Sequence, residues 1–277
     1  MTKRSDHLKI ALCMFVLFLL ASMTGCGDKA EHQEDSCIDA GALRKEVFAL
    51  VSSAENSSID YSKQYAYIED IGDGRGYTAG VIGFTSGTSD LLAVVNLYAE
   101  LKADNILEKY IPALEAVNGT DSHEGLGDAF LNDWEKAADD LEMIQAQNTV
   151  LDEQYMSPAV QFATKDGLSP LGQYIYYDAL VVHGNGDDED SFGEIRDTAL
   201  THVKPPADGG DEAAYLNEFL KARTVVMEKE EAHSDLSRLE AQEAWIDAGN
   251  FSLELPLEWT VYGEKFTLTQ DDISKMK

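Results

Sequence analysis

Residues 40–54 repeat apolar side chains at helical spacing. Leu43, Val47, Leu50, Val51 and Ala54 fall on one face, which predicts a helix with that face buried. Glu55 sits at its end, and the small polar run 52–58 breaks the pattern. Residues 61–71 read as a short helix or turn. From 72 to 87 the pattern changes. Gly72, Gly74, Gly76, Gly80, Gly83 and Gly87 interleave with Tyr77, Val81, Ile82 and Phe84, which predicts a short hairpin or small sheet with tight turns. Helical spacing returns over 89–101, with Leu91, Leu92, Val95, Tyr98 and Ala99 on the buried side. Further helices are expected over 105–117, 130–147, 154–164, 170–182, 191–204, 211–233 and 236–248. Pro170 suits a first helical turn. Residues 250–268, with Pro256, Trp259, Val261, Tyr262 and Phe266, read as extended structure packed on the surface. The pattern describes a mainly α-helical α+β protein with one small sheet near 65–87. Such a sheet set among helices allows two lobes with a cleft between them.

The N-terminus reads as an address. Lys3, Arg4 and Lys9 precede a charge-free run over 10–21, the length of a signal-peptide core and short for a membrane span. The run leads to Met23-Thr24-Gly25-Cys26, which resembles a bacterial lipobox, in which the Cys becomes the lipidated first residue. An ordinary signal peptide cut nearby is the alternative. The expected organisation is a signal at 1–25, a polar tether at 26–38 and a folded domain at 39–277. Of the three cysteines, Cys13 lies in the signal, Cys26 is the expected lipid anchor and Cys37 stands alone. No internal disulfide is expected.

Charge narrows the partners. The 277 residues carry 21 Lys+Arg against 51 Asp+Glu, a formal net charge of −30. Nucleic acid is excluded, because phosphate binding needs a basic patch. A polybasic attachment to anionic lipid is excluded for the same reason. A cationic partner and a merely salt-tolerant surface both fit. Hydrophobic residues make up 44% of the chain, enough for a sizeable core. A monomer is expected, with membrane contact only through Cys26.

Candidate chemistry is sparse. Glu55 ends an apolar helix, where partial desolvation would keep a carboxyl protonated. Asp73, in Gly72-Asp73-Gly74-Arg75-Gly76, sits on a glycine turn that favours a solvated carboxylate. Two carboxyls driven apart are what glycoside hydrolysis uses. In so acidic a chain, spacing alone favours a plain surface charge at a helix end for Glu55. The glycine run lacks nucleotide-loop spacing. No His-x-x-x-His pair exists among the histidines, so no metal or cofactor is expected. The acidic loop 187–190 reads as solvated rather than as a calcium site, and His183 and His233 as structural. Arg75, Arg223 and Arg238 stand out because bases are scarce. They read as partners of buried acids such as Asp178, or as residues that position a catalytic carboxyl.

Longer blocks carry a family resemblance. Residues 52–58, Tyr67-Ile68-Glu69-Asp70-Ile71-Gly72-Asp73-Gly74-Arg75-Gly76-Tyr77-Thr78 and Gly83-Phe84-Thr85-Ser86-Gly87-Thr88-Ser89-Asp90 are similar to the chitosanases of glycoside hydrolase family 46. So are Ala146-Gln147-Asn148, Gly167-Leu168-Ser169-Pro170-Leu171-Gly172-Gln173, Tyr176-Tyr177-Asp178-Ala179 and Gly209-Gly210-Asp211-Glu212. The resemblance spans about 40–268. It implies a lysozyme-like, two-lobed fold and endo-hydrolysis of β-1,4 bonds between glucosamine units in chitosan, with inversion. It implies Glu55 as general acid, Asp73 as general base and Thr78 as a residue placing the water. Asp90 corresponds to an acid that binds a substrate amine. Asp178, Arg223 and Arg238 correspond to a charged network behind the acid, and Glu69, Asp70 and Arg75 lie in the cleft segment. Thr85 stands where family members carry Cys, and Tyr61 where some carry Trp. A polycationic substrate suits the acidic composition. Two other readings compete: a non-catalytic surface lipoprotein that captures cationic amino-sugar oligomers, and a lysozyme-like peptidoglycan hydrolase.

Overall fold

A computed structural model describes residues 36–186, 188–229 and 235–276. The signal at 1–25, Cys26, Asp187 and His233 lie outside them. Helix α1 runs Gly41–Asn56. Val47, Leu50 and Val51 are buried as their spacing requires, and Ser57, in the left-handed region at φ 48°, ends the helix. A 3-10 turn at Tyr61–Ala66 then leads into three short antiparallel strands, β1 (Ile68–Glu69), β2 (Thr78–Ala79) and β3 (Phe84–Thr85). Glu69 pairs with Thr78, and Thr78 with Thr85.

Two glycines make this sheet possible. A Cβ on Gly76, whose φ is +76°, would meet Ser86 Oγ at 2.3 Å, where that oxygen accepts the Tyr77 N–H. A Cβ on Gly87 would meet Thr120 O at 2.5 Å and Arg75 O at 2.8 Å, while its N–H donates to Arg75 O at 2.9 Å. Only a side chain of hydrogen allows both approaches.

The remaining helices form the body. They are α2 (Asp90–Leu101), α3 (Ile111–Val117), α4 (Gly127–Ala137), α5 (Leu141–Leu151), α6 (Ser157–Asp166), α7 (Pro170–His183), α8 (Phe192–His202), α9 (Glu212–Met227) and α10 (Ser237–Asp247). α7 is the spine: each residue from Leu171 to Leu180 is buried. Ile38, at the end of the stretch read as a tether, is already buried. Its N–H donates to Gln173 Oε1 at 3.1 Å, and Gln173 Nε2 donates back to Ser36 O at 3.0 Å.

Several expected elements differ. The single helix predicted over 130–147 is two, α4 and α5, because Asp140 adopts an extended conformation at the junction. Its carboxylate takes the hydroxyl of Tyr98 on α2 at 2.5 Å and Nζ of Lys102 just past the end of that helix. The helix expected from 105 starts at Ile111. Asn105 Oδ1 accepts the N–H groups of Leu107 and Glu108 in a turn of its own, followed by a 3-10 turn at Glu108–Tyr110. Between α5 and α6 the backbone passes through a π turn at Asp152–Met156. Pro158 lies two residues past its end, with no N–H to offer the regular ladder. The helix expected over 211–233 is described only to Met227.

The C-terminal stretch is more regular than expected. It forms a hairpin of β4 (Leu257–Val261) and β5 (Glu264–Leu268), with Leu257, Trp259 and Val261 turned inward. A short helix, α11 (Gln270–Lys275), follows under a capping box between Thr269 and Asp272.

Candidate active site

Glu55 sits in the last turn of α1 with 35% of its side chain exposed. Sequence reasoning expects a desolvated acid there. What lies against it is a buried cation: Arg238 of α10 donates through Nη2 to Glu55 Oε1 at 2.5 Å. Arg238 Nε donates to Asp178 Oδ1 at 2.9 Å. Asp178, fully buried on α7, also accepts Arg223 Nη1 at 2.7 Å and Gln242 Nε2 at 2.8 Å on Oδ2. Arg223 Nε donates to His183 Nε2 at 3.2 Å, so His183 accepts there as a neutral ring. The structural role expected for His183 is this contact.

This network sets two guanidiniums beside two carboxyl groups. Burial alone would raise the Asp178 carboxyl, but Arg238 and Arg223 outweigh it and hold it below the ordinary aspartate value. Burial works downward on Arg238, and Asp178 and Glu55 overcome it and lift it above the ordinary arginine value. For Arg223 burial wins and lowers the value, with Arg238 adding to it. Both arginines stay charged at neutral pH.

Asp73 lies in the β1–β2 loop, under its own clamp. Oδ1 accepts the Arg75 N–H at 2.9 Å and Oδ2 accepts Arg75 Nε at 2.8 Å and Nη2 at 2.6 Å. Burial pushes its carboxyl up, and these bonds to Arg75 outweigh that and hold it below the ordinary aspartate value. Asp70 uses Oδ1 to accept the Gly72 N–H at 2.8 Å, and Oδ2 lies 3.5 Å from His123 Nε2. His123 in turn stacks on Tyr77 with ring centroids 4.0 Å apart. Glu69 accepts the Tyr67 hydroxyl at 3.3 Å.

Thr78 on β2 is buried, and its hydroxyl bonds to no protein atom among the described residues. Its strand neighbour Thr85 is tied to Asp90. Asp90 Oδ1 accepts the N–H groups of Thr85 and Leu91, each at 2.8 Å, and the Thr88 hydroxyl at 2.9 Å. Burial raises the Asp90 carboxyl above the ordinary aspartate value, against these bonds. Oδ2 has no hydrogen bond among the described residues. Thr85 is buried, and its hydroxyl shares a 2.5 Å hydrogen bond with Thr88. Tyr61 packs edge-on against Phe48 at 5.3 Å.

The predicted residues thus gather in two groups. One is Glu55, Arg238, Asp178 and Arg223; the other is Glu69, Asp70, Asp73, Arg75, Thr78 and Asp90 on and beside the sheet. Among the described residues no hydrogen bond or ion pair joins the two. Both groups fall inside one stretch of sequence similarity, since the model for glycosyl hydrolase family 46 matches residues 49–257. The chain belongs to glycosyl hydrolase family 46.

Individual relatives agree with that family. The chain is 50% identical over 268 residues to a chitosanase of Streptomyces sp. (strain N174), covering 94% of this chain and 96% of that one. It is 57% identical over 220 residues to a chitosanase of Nocardioides sp. (strain N106), covering 79% of each. A solved co-crystal structure of chitosanase OU01 with substrate superposes with a TM-score of 0.81 at 52% identity, covering 84% of this chain and 99% of that one. The mainly helical α+β, lysozyme-like fold expected from the sequence is the fold of these family 46 structures.

Three features beside these groups carried no functional reading in the sequence. Gln242 completes Asp178 and carries no local signal. Gln147, buried on α5, accepts the Val81 N–H at 3.0 Å and donates to Tyr65 O at 3.0 Å, bracing the sheet from below. Its block, Ala146-Gln147-Asn148, was visible in the resemblance without a reason, as was Asn148, which accepts the Tyr65 hydroxyl at 2.9 Å. The third is the C-terminal hairpin, described below. Among the described residues no cluster of His, Cys, Asp and Glu gathers as a metal site. In the acidic loop, Asp190 pairs with Lys229 at 2.6 Å, and Asp188 accepts the Asp190 N–H at 3.2 Å. No described helix is long and apolar enough to cross a membrane.

Proposed function

We propose that the protein is an endo-chitosanase, hydrolysing β-1,4 bonds between D-glucosamine units by an inverting single displacement. The observation that carries the reading is a pair of carboxyls, each fixed by an arginine, within one stretch matched by the family. Glu55 is held at a helix end by a buried arginine, and Asp73 is kept ionised on a glycine turn by Arg75. The relatives bearing the name chitosanase support the substrate.

In this mechanism Glu55 gives its proton to the glycosidic oxygen as the bond from C1 to that oxygen breaks. Asp73 accepts a proton from a water whose oxygen attacks C1 from the opposite face. The proton returns to Glu55 through solvent after products leave. A single displacement needs room for that water, and carboxyls about 6.5–9.5 Å apart provide it. The unpartnered Thr78 hydroxyl supplies a hydrogen bond that holds the water. Asp90 has Oδ2 left for a substrate ammonium, whose charge would restore the ionised form that burial disfavours. Glu69 and Asp70 add negative charge along the cleft, and the net charge of −30 concentrates a polycation around it.

The test is hydrolysis of a soluble glucosamine hexamer followed by proton NMR. Early α-anomer supports single displacement, and early β-anomer overturns it. Glu55→Gln should retain the fold and lose nearly all hydrolysis; more than a few per cent of the parent rate would remove Glu55 as the acid. We also propose that the chain is exported and anchored through a lipid on Cys26. Mass spectrometry of the mature N-terminal peptide checks this, and an unmodified cysteine overturns it.

A further inference from the structure

The C-terminal hairpin is tied to both helices that deliver the Glu55–Arg238 pair. Trp259 of β4 donates its indole N–H to Ser53 Oγ at 3.0 Å, two residues before Glu55. The Tyr262 N–H, at the hairpin tip, donates to Ser237 Oγ at 2.8 Å, one residue before Arg238. The hairpin is therefore tied at two points to the helices that carry the proposed acid and its arginine, and its tip sits against the start of α10.

The residue at that tip is unusual. Tyr262 and Gly263 form the two-residue turn, with φ of +51° and +80°. Turns of this kind favour Asn-Gly or Asp-Gly, because a residue with a bulky side chain is strained in the left-handed region. Tyr262 carries that strain without joining the core, since it is 43% exposed. Its phenol is within electrostatic reach of the acid pair. Burial pushes its ionisation up, Arg238 pulls it down, and Glu55, Asp178 and Asp235 push it up again. A strained, exposed aromatic at a chemical centre calls for a reason outside folding.

We infer that Tyr262 contacts substrate: it forms a wall of the cleft beside Glu55, its ring packing on the glucosamine unit next to the bond that Glu55 protonates and its hydroxyl hydrogen-bonding to that sugar. An amphipathic ring with a polar tip suits a sugar, which offers both C–H faces and hydroxyls. The inference rests on the reading of Glu55 as the acid of a chitosanase.

The test separates binding from folding. In the Glu55→Gln background, Kd for the glucosamine hexamer is measured by calorimetry with Tyr262 intact, then as Phe, Ala and Asn. Ala and Asn should weaken binding about three- to tenfold, the range expected for losing one ring contact. Phe should recover most of it. Asn should raise Tm or leave it unchanged, because it relieves the turn while keeping the N–H that meets Ser237. A structural role predicts the opposite, a fall in Tm with Kd unmoved. Kd within twofold of the parent for both Ala and Asn would overturn the inference. The same ratios are read as KM in the active chain, so the Tyr262 result stands even if Glu55→Gln proves active and the acid must be reassigned.

Discussion

Arg238 holds Glu55 through Nη2 at 2.5 Å and keeps its Nε for Asp178 at 2.9 Å. One guanidinium thereby fixes an exposed carboxyl by reference to a fully buried one. Lysine has a single nitrogen and cannot span both. Arg238→Lys should lower kcat on the hexamer at least about tenfold with little change in KM. Asp178→Asn should act on folding instead. It leaves Arg223 and Arg238 buried together without their shared counter-charge, at a cost of about 3–5 kcal/mol. Denaturant unfolding measures this, and a loss under about 1 kcal/mol would contradict the compensating role given to Asp178.

With Asp73 as the proposed general base, Arg75 should set the acid limb of the pH–rate profile. A general base works only while ionised, so activity falls as pH drops through the Asp73 pKa. Arg75 holds that value low. Arg75→Ala removes the guanidinium and its bonds while keeping the backbone N–H, raises the Asp73 value and should move the acid limb to higher pH, with the alkaline limb in place. An acid limb that stays put would exclude Asp73 as the group it reports.

Glu46 makes stability depend on pH. It is buried on α1, and its Oε2 bonds to no protein atom among the described residues. Burial raises its carboxyl from 4.5 to about 7. The folded protein thus holds this proton more tightly than the unfolded chain. The stabilisation is fully present below 4.5, and is lost as pH rises to about 7. The loss amounts to about 3 kcal/mol. Glu46→Gln should therefore be more stable than the parent by about 2–3 kcal/mol above neutrality and gain nothing in acid. Parallel stability curves for the two chains would refute this.

Salt should act on substrate capture. With 51 acidic residues against 21 basic ones, long-range attraction for a cationic oligomer is screened as the Debye length shrinks. KM for the hexamer should rise severalfold between about 0.05 and 0.5 M salt, with kcat nearly constant. A KM independent of salt would show that the charge serves the surface and not the substrate.

Local features were readable from the chain. The spacing of Val47, Leu50 and Val51 marks α1, the glycine density marks the three-stranded sheet, and both carry their acids at the positions expected. The scarcity of bases singles out Arg75, Arg223 and Arg238 as partners of buried acids; Arg223 and Arg238 do meet Asp178, while Arg75 is exposed and pairs with Asp73 instead. The break at Asp140 was not readable, since its partners are a tyrosine on another helix and a lysine just past that helix's end. The capping box of α11 was present as Thr269 and Asp272 but lay beyond the last apolar repeat.

Periodicity and glycine placement thus mark α1, α2, α7 and the three-stranded sheet, with Glu55 and Asp73 beside them. These depend on contacts within a turn or two of chain, where periodicity and backbone preference act. Packing between distant segments brings Arg238 to Glu55 across 183 residues and Trp259 to Ser53 across 206. Those pairings follow from how α1, α7, α10 and the hairpin pack around one core. A buried charge finds its partner through that packing, and no local pattern records it.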